Sequence, residues 1–323
     1  MEWAKLLEDS ITTLHTVEPS QWCQAFYLFA AGCVVVVAAT PREARTLLMD
    51  YGARKSSSSH KENAQQNLQN PDVRGRVIFL VATVASWGQV PHSWFSAFYL
   101  VSLACSLFWL VQYLAGGAVL HAIVSQQASA PGPSATIGQV VVAWSMMFLQ
   151  GSRRVYEHAL VFRRSNSKMW IVHWVLGLGF YLFTSVSIWV EGSRAVLDKS
   201  IGDTDGFAPL IKIFVAIPVF LFAWVNQYKC HKHLAGLKKY SMPDEGLFRR
   251  LVCPHYTCEC LLYLSMTIVA APEGQLCNKT LLCALTFVSV NLGVTASGTR
   301  KWYVDKFGIK LVVEKWNMIP FVF

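Results

Sequence analysis

The chain has 323 residues, 15% of them charged and 54% hydrophobic, with 28 Lys and Arg against 19 Asp and Glu. Soluble domains carry about 25% charged residues, so this composition excludes disorder and collagenous or coiled-coil architectures, and it argues against an ordinary soluble domain. The formal net charge of +9 would suggest nucleic acid on a soluble protein; on a membrane protein it asks where the charges sit.

The first 21 residues carry Glu2, Glu8, Asp9 and Glu18 and lack a basic n-region, so the apolar run that follows reads as a retained anchor rather than a cleaved signal. A membrane helix needs about 20 mostly apolar residues. The first candidate is 22–40, ended by Pro41. A basic loop, 42–76, follows, with a flexible Ser-rich part at 56–59. Residues 76–90 are apolar but interrupted by Trp87, Gly88 and Gln89, and read as an interfacial helix. Further spans are expected near 98–120, 137–150, 169–190, 209–226 (kinked at Pro218), 259–271 and 280–297. The chargeless stretch 126–134 reads as a short outer linker. No internal repeat is visible. The nine Cys are an odd number, and several sit in apolar runs, as free buried thiols do.

Positive charge tests this division, because Lys and Arg concentrate in cytosolic loops. Segments 42–76, 151–168, 227–258 and 298–323 carry seven, five, six and five basic residues, 23 of the 28. They alternate with segments holding only Lys5, Arg194, Lys199 and Lys279, while Lys212 falls inside the fifth span. The expected fold is therefore all-α: a single polytopic membrane domain of about seven transmembrane helices over residues 1–323, with its N-terminus outside and its C-terminus cytosolic.

The cytosolic segments carry Arg153–Arg154, Arg163–Arg164, Lys238–Lys239 and Arg249–Arg250 as doublets, interleaved with Tyr156, His158, Tyr240, His255, Tyr256, Trp302 and Tyr303. Basic residues in such loops orient a membrane protein and attract anionic lipid. Arg doublets among aromatics also suit a phosphate-bearing, aromatic ligand such as a nucleotide cofactor. No GxGxxG follows a strand and no GxxxxGK[ST] occurs, so Rossmann and P-loop sites are unsupported. Gln227, His231, Leu234 and Lys238 share a helix face, as do His255 and Glu259, and Asn291, Thr295 and Thr299. Glu259 and Asn291 are costly within a span unless paired or hydrated. Their simpler readings are a carboxylate at a helix N-terminus and an interhelical hydrogen bond. Cys253, His255, Cys258 and Cys260 cluster, but not at a usual zinc spacing, and no metal is expected. Asn278–Lys279–Thr280 is a glycosylation sequon abutting a span, where use is not expected.

The C-terminal half resembles the steroid 5α-reductase family and, within it, the polyprenal reductase branch. The resemblance rests on Gln227–Tyr–Lys–Cys–His231 with Leu234 and Leu237; Gly246–Leu–Phe248; Pro254–His–Tyr256 with Glu259; Trp302–Tyr303; Lys306–Phe307; and the closing Ile319–Pro–Phe–Val–Phe323. Val90–Pro91, Trp94–Phe95–Ser96 and Phe98–Tyr99 resemble the branch's second helix, and Arg153–Arg154 with Glu157 its basic turn. The resemblance implies a seven-helix, NADPH-dependent reductase of the endoplasmic reticulum membrane that acts on a long-chain polyisoprenoid within the bilayer and binds no nucleic acid. Carried over position by position, it nominates Arg154, Arg163, Arg164, His231, Lys238, Tyr240, His255, Asn291, Arg300 and Lys315 for the cofactor. Tyr99, Tyr303 and Glu259 are nominated for the chemistry. Two positions depart from the branch, which carries His where this chain has Ala97 and Arg300; Tyr99 and Tyr303 then become the expected proton donors.

The implied reaction follows from electronics. Hydride attacks only an electron-poor carbon, and the terminal double bond becomes electrophilic in a polyprenal, where it is conjugated to an aldehyde. Reduction then gives dolichal, on the way to dolichol for protein N-glycosylation. The alternatives are a 3-oxo-steroid or enoyl-lipid reductase on the same scaffold and a non-enzymatic membrane lipid binder or transporter. A transporter would be expected to show inverted repeats.

Overall fold

The computed structural model describes residues 17–40, 76, 79–81, 83–84, 87–162, 167–198, 207–238 and 241–323. The basic loop 42–75 lies outside them, and residues 76–90 are described only in part. The described pieces of that stretch are helical up to residue 84 and then turn into a strand.

Nine helices dominate the described chain. They are α1 (Pro19–Ala39), α2 (Ser96–Ala115), α3 (Ala118–Ala128), α4 (Ile137–Tyr156), α5 (Ile171–Val190), α6 (Ser193–Asp198), α7 (Phe207–Gly236), α8 (Pro254–Val269) and α9 (Lys279–Phe307). Their starts follow from local chemistry. Glu18 and Gln21 form a capping box ahead of α1, with Pro19 at the first helical position. Thr136 and Gln139 do the same for α4, and the Asn278 side chain accepts the Leu281 N–H at 2.9 Å to open α9. A two-stranded antiparallel ribbon, β1 (Gln89–Pro91) with β2 (Lys168–Trp170), ties the entrance of α2 to that of α5, in a register that pairs Val90 with Met169.

Six helices close a ring in the order α1, α9, α8, α4, α2, α5, while α7 lies outside it, packed along α8 and touching α4. The core is apolar and shared by all of them, with Tyr27, Val140, Met147, Trp189, Leu262, Met266 and Leu281 fully buried. The outward faces are apolar too: Phe29, Leu114 and Phe214 are 74%, 70% and 76% exposed. An apolar rim around an apolar core is the pattern of a bundle solvated by lipid. Among the described residues, five segments are long and apolar enough to cross a membrane: Pro19–Ala39, His92–Ala115, Ile171–Val190, Leu210–Gly236 and Lys279–Phe307. This is a polytopic membrane protein.

At one end of the bundle the joins are polar and specific. Ser20 N–H donates to Gln127 Oε1 at 2.8 Å, Thr280 Oγ1 to Glu191 Oε1 at 2.6 Å, and Gln139 Nε2 to the Val269 and Ala271 carbonyls at 2.8 and 2.9 Å. Lys212, the one basic residue expected inside a span, reaches out to the Ala271 and Pro272 carbonyls at 2.8 Å each. It neutralises the negative end of α8 rather than sitting unpaired in the bilayer.

Several boundaries differ from those expected. The second apolar run does not continue to residue 120. It stops at Gly116, whose φ of 64° ends α2 in a left-handed cap, and the chain restarts as α3. The expected linker 126–134 therefore begins as the last turn of α3, which places Gln127 against Ser20 and Glu18. At the opposite end of the bundle α4, α7 and α9 run on to Tyr156, Gly236 and Phe307, and α8 begins already at Pro254. Hydropathy marks the part of a helix that lies in lipid, whereas the helix itself persists into the polar zone.

Close packing of α5 on α4 depends on Gly192. A Cβ built there would stand 2.3 Å from Val140 Cγ2, and Val140 is fully buried. Gly192→Ala is expected to destabilise the bundle by about 1–3 kcal/mol through overpacking, read as a lower thermal-unfolding midpoint in detergent. Val140→Ala in the same chain should restore part of the loss.

Candidate active site

At the other end of the bundle, one carboxylate organises the interior. Glu157 is fully buried and begins a π-turn, Glu157–Val161, that continues α4. Its Oε1 lies 3.2 Å from Arg153 Nε, an ion pair without hydrogen-bond alignment. Its Oε2 receives Arg154 Nη1 and His231 Nδ1, the latter at 2.8 Å. The spacings Arg153–Glu157 and Arg154–Glu157 are i,i+4 and i,i+3, so the helix itself brings the three together. His231 comes from α7, and its Nδ1 stands between the Glu157 carboxylate and Arg154 Nη1, the latter at 2.7 Å.

Arg153 extends the cluster to one side. Its guanidinium donates to the Trp224 carbonyl, to Gln227 Oε1 and to Gln150 Oε1 at 2.8 Å, and it lies 4.9 Å above the Trp224 ring. Gln150 Nε2 donates to Gln227 Oε1 at 3.0 Å and to Glu259 Oε2 at 3.2 Å. Gln227 Nε2 donates to Glu259 Oε2 and to the His255 carbonyl at 3.3 Å. Two guanidiniums and two carboxylates thus share one network, and the amides of α4 and α7 bridge them. A charge set of this kind is tolerated at low dielectric only when balanced and hydrogen-bonded.

Arg154 extends the cluster to the other side. It donates to the Tyr99 hydroxyl on α2 and is sandwiched between two rings, 4.6 Å from the Tyr99 centroid and 5.4 Å from that of Phe162. A guanidinium only donates, so the Tyr99 oxygen is its acceptor and the hydroxyl proton points elsewhere. His255 packs at 5.7 Å from His231 and 4.2 Å from Tyr256, centroid to centroid. Its Nδ1 is buried and has no hydrogen-bond partner.

Of the nominated residues, the structure brings together Tyr99, Arg154, His231, His255 and Glu259. Others are elsewhere. Arg300 donates to the Lys315 carbonyl and, at 3.4 Å, to that of Val313. Lys315 Nζ donates to the Phe248 carbonyl at 2.7 Å and the Pro243 carbonyl at 3.4 Å. Arg300 thus ties the C-terminal segment to α9, and Lys315 ties it to the loop before α8. Tyr303 is buried in a separate small core with Val252, Cys253, Ala296, Val312 and Met318. Asn291 is half-buried on α9; Thr295 and Thr299 donate to the Asn291 and Thr295 carbonyls, one helical turn back. Lys238 is exposed just past the end of α7. Arg163, Arg164 and Tyr240 lie outside the described residues. Cys258 is buried in the main core, and Cys260 Sγ accepts the Ser289 hydroxyl at 3.6 Å.

The nominations missed Glu157, Arg153, Gln150 and Gln227 as members of one network. The signal was present in the Arg–Arg–x–x–Glu spacing and in two amide side chains embedded in otherwise apolar helices. Burial pushes the Glu157 carboxyl up, but the His231 hydrogen bond and the two guanidiniums outweigh it and hold the group below the ordinary carboxylate range. A depressed folded value stabilises the fold fully above the ordinary carboxylate range and less as pH falls through it. Glu157→Gln should lower the thermal-unfolding midpoint at neutral pH by the equivalent of about 3–5 kcal/mol, because two buried cations lose their partner. It should also flatten the acid limb of the midpoint-versus-pH curve.

Residues 167–323 match the family model described as 3-oxo-5-alpha-steroid 4-dehydrogenase. The polyprenal reductase of Xenopus tropicalis is 28% identical over 260 residues, which cover 73% of this chain and 81% of that protein. That of Saccharomyces cerevisiae is 30% identical over 186 residues, 56% of this chain and 64% of the yeast protein. Polyprenal reductase 2 of Oryza sativa subsp. japonica is 26% identical over 215 residues, 58% of this chain and 60% of the rice protein. His231, His255 and Glu259 fall within the family domain, whereas Tyr99, Arg153, Arg154 and Glu157 precede it. Residues 167–323 therefore form a steroid 5α-reductase family domain, and the chain is related to the polyprenal reductases.

Proposed function

We propose that the chain is an NADPH-dependent reductase of the endoplasmic reticulum membrane. It reduces the α-isoprene double bond of a long-chain polyprenal to give dolichal, in the synthesis of dolichol for protein N-glycosylation. The reading rests on the family domain, on the names of the relatives, and on one observation above others: a charge-balanced cluster that leaves the Tyr99 proton unclaimed by Arg154. In this reading the bundle has seven spans, α1, α2, α4, α5, α7, α8 and α9, with the N-terminus lumenal and the cluster on the cytosolic side. The joins of Ser20 with Gln127 and of Thr280 with Glu191 support the alternation, since they gather the opposite ends of α1, α3, α5 and α9.

The residues near the cluster suit a dinucleotide. The unpartnered buried His255 Nδ1 offers a hydrogen bond beside His231. Lys238, Arg249 and Arg250 are exposed on the same side and suit phosphates. His231, His255 and Lys238 would hold the cofactor, which when bound supplies the hydride. The chain's own residues then act on the substrate. As the β-carbon is reduced, negative charge grows on the aldehyde oxygen, and the Tyr99 hydroxyl is the donor that meets it; the enol so formed loses that proton and gains one at the α-carbon to give dolichal, and the Tyr99 oxygen is reprotonated from solvent. Arg154, bonded to the Tyr99 oxygen, stabilises charge that develops there as the proton leaves. Glu157 and His231 keep Arg154 in place, and the stacked Tyr99 and Phe162 rings shield its guanidinium from water. With Ala97 and Arg300 in place of the branch's histidines, Tyr99, bonded to Arg154 within the cluster, takes the proton-donating role, whereas Tyr303 lies in a separate small core.

Tyr99→Phe keeps the ring against Arg154 and removes only the hydroxyl. With purified protein, NADPH and polyprenal, it is expected to lower kcat by about 10²-fold or more with little change in the KM for NADPH; unchanged turnover would reject Tyr99 as donor. In a thermal-shift series NADPH, and not S-adenosylmethionine, should raise the unfolding midpoint. Turnover of an enone steroid without turnover of polyprenal would favour the steroid-reductase reading suggested by the family description.

A further inference from the structure

Two tyrosines inside the bundle have hydroxyls that the protein itself does not use. A buried phenol ordinarily finds a hydrogen-bond partner. The core obeys this elsewhere: the Tyr27 hydroxyl bonds to Thr184 and Ser187, and the Trp109 and Trp144 indoles donate to Ser185 and to the Ser106 carbonyl. Tyr181 on α5 and Tyr263 on α8 differ. Neither hydroxyl makes a hydrogen bond to the described residues, although Tyr263 is only 1% exposed.

Both hydroxyls belong to the space beside the charged cluster. The Tyr181 ring lies 6.3 Å from those of Phe98 and Tyr99 and 5.4 Å from Phe180, centroid to centroid, and Phe180 stands 5.5 Å from Tyr263. The groups whose charge reaches the Tyr181 hydroxyl are Tyr99, Glu259 and Arg154, all members of the site. Tyr181, Glu259 and Tyr99 act in turn on Tyr263, together with Tyr27. Tyr181 lies deep among protein atoms, yet its surface is only partly covered. Arg154 and His255 show the same combination. Depth with residual surface belongs to side chains on the wall of an internal cavity. Tyr181 also packs against both the main core and the small core around Val90, Phe98, Tyr99 and Met169, so it stands where the ionic cluster gives way to apolar packing. An unpartnered phenol there has a proton to share and suits a ligand atom that only accepts. A carbonyl oxygen is such an atom, and it can take two donors.

We propose that Tyr181 is a second catalytic tyrosine, whose hydroxyl hydrogen-bonds the aldehyde oxygen of the substrate beside that of Tyr99. The proposal rests on the polyprenal-reductase reading. Tyr99 yields its proton as charge develops on the oxygen, whereas Tyr181 keeps its own and shares it. Two aimed donors replace the water that this oxygen loses on entering an apolar interior.

The test uses the full chain in detergent with NADP+, which has no hydride to give, and polyprenal labelled with carbon-13 at the aldehyde carbon. The carbonyl stretch of the bound aldehyde is read by infrared difference spectroscopy. Tyr181→Phe should move the stretch to higher frequency. With NADPH it should lower kcat by about 10²-fold, leaving the KM for NADPH and the rise in unfolding midpoint on adding NADPH as they are in the unaltered protein. 3-Fluorotyrosine placed at position 181, similar in shape and a stronger donor, should move the stretch to lower frequency. A stretch unmoved by either change, with Tyr181→Phe turning over polyprenal normally, overturns the proposal and leaves the reductase reading standing. If Tyr181→Phe loses its response to NADPH, the fluorotyrosine protein decides, and an unmoved stretch there overturns the proposal. Absence of polyprenal turnover in the unaltered protein overturns the reading itself and the proposal with it.

Discussion

The balanced burial of Glu157 is the constraint on which the inner end of the bundle depends. A lone carboxylate, or a lone guanidinium, is not tolerated at that depth. With Arg153, Arg154 and His231 placed around it, each charge becomes the reason another can be buried. The cluster joins α2, α4, α7 and α8 through Tyr99, Gln150, Gln227 and Glu259. The cluster acts as a key that helps set their relative rotation.

The same logic, in neutral form, recurs through the core. Tyr27 hydroxyl bonds to Thr184 and Ser187 at 3.2 and 3.0 Å, Trp109 Nε1 donates to Ser185 at 2.9 Å, and Trp144 Nε1 to the Ser106 carbonyl at 2.9 Å. In lipid the apolar effect does little to choose among helix partners, and such hydrogen bonds, with close contacts like that at Gly192, do much of the choosing. Charge is kept to the two ends and apolar packing to the middle. Chemistry that needs an ionic site and a greasy substrate together is accommodated where the two zones meet.

Much of this was legible in sequence, for identifiable reasons. Apolar runs locate the long helices, because lipid demands length and hydrophobicity whatever the fold. The polar extensions of α4, α7 and α9 carry no such mark, since a helix in headgroups or water is held by pairings that hydropathy does not see. Helix-face spacing and family resemblance singled out His231, His255 and Glu259, which the structure places near one another. Glu157 was noted only as the acidic neighbour of an arginine pair, because its importance lies in partners from α7, more than 70 residues away. Arg300 and Lys315, cations in a basic segment, reach carbonyls of the chain that hydropathy and spacing do not reveal. The sequon at Asn278 is likewise absorbed by architecture, its amide capping α9 and donating to the Ala270 carbonyl at 3.0 Å.

The π-turn after α4 has a consequence for how this segment can vary. Phe162 N–H closes it on the Glu157 carbonyl at 2.9 Å, one residue wider than an α-turn. That surplus residue carries the Phe162 ring back over Arg154 and to 5.4 Å from His231. Between them Ala159 and Leu160 are exposed, Leu160 at 74%, whereas His158 packs 6.1 Å from the Tyr99 ring. A shortened segment would regain regular helical hydrogen bonding yet swing Phe162 by about 100° around the axis. Between Glu157 and Phe162, length is held more tightly than the identity of the exposed residues.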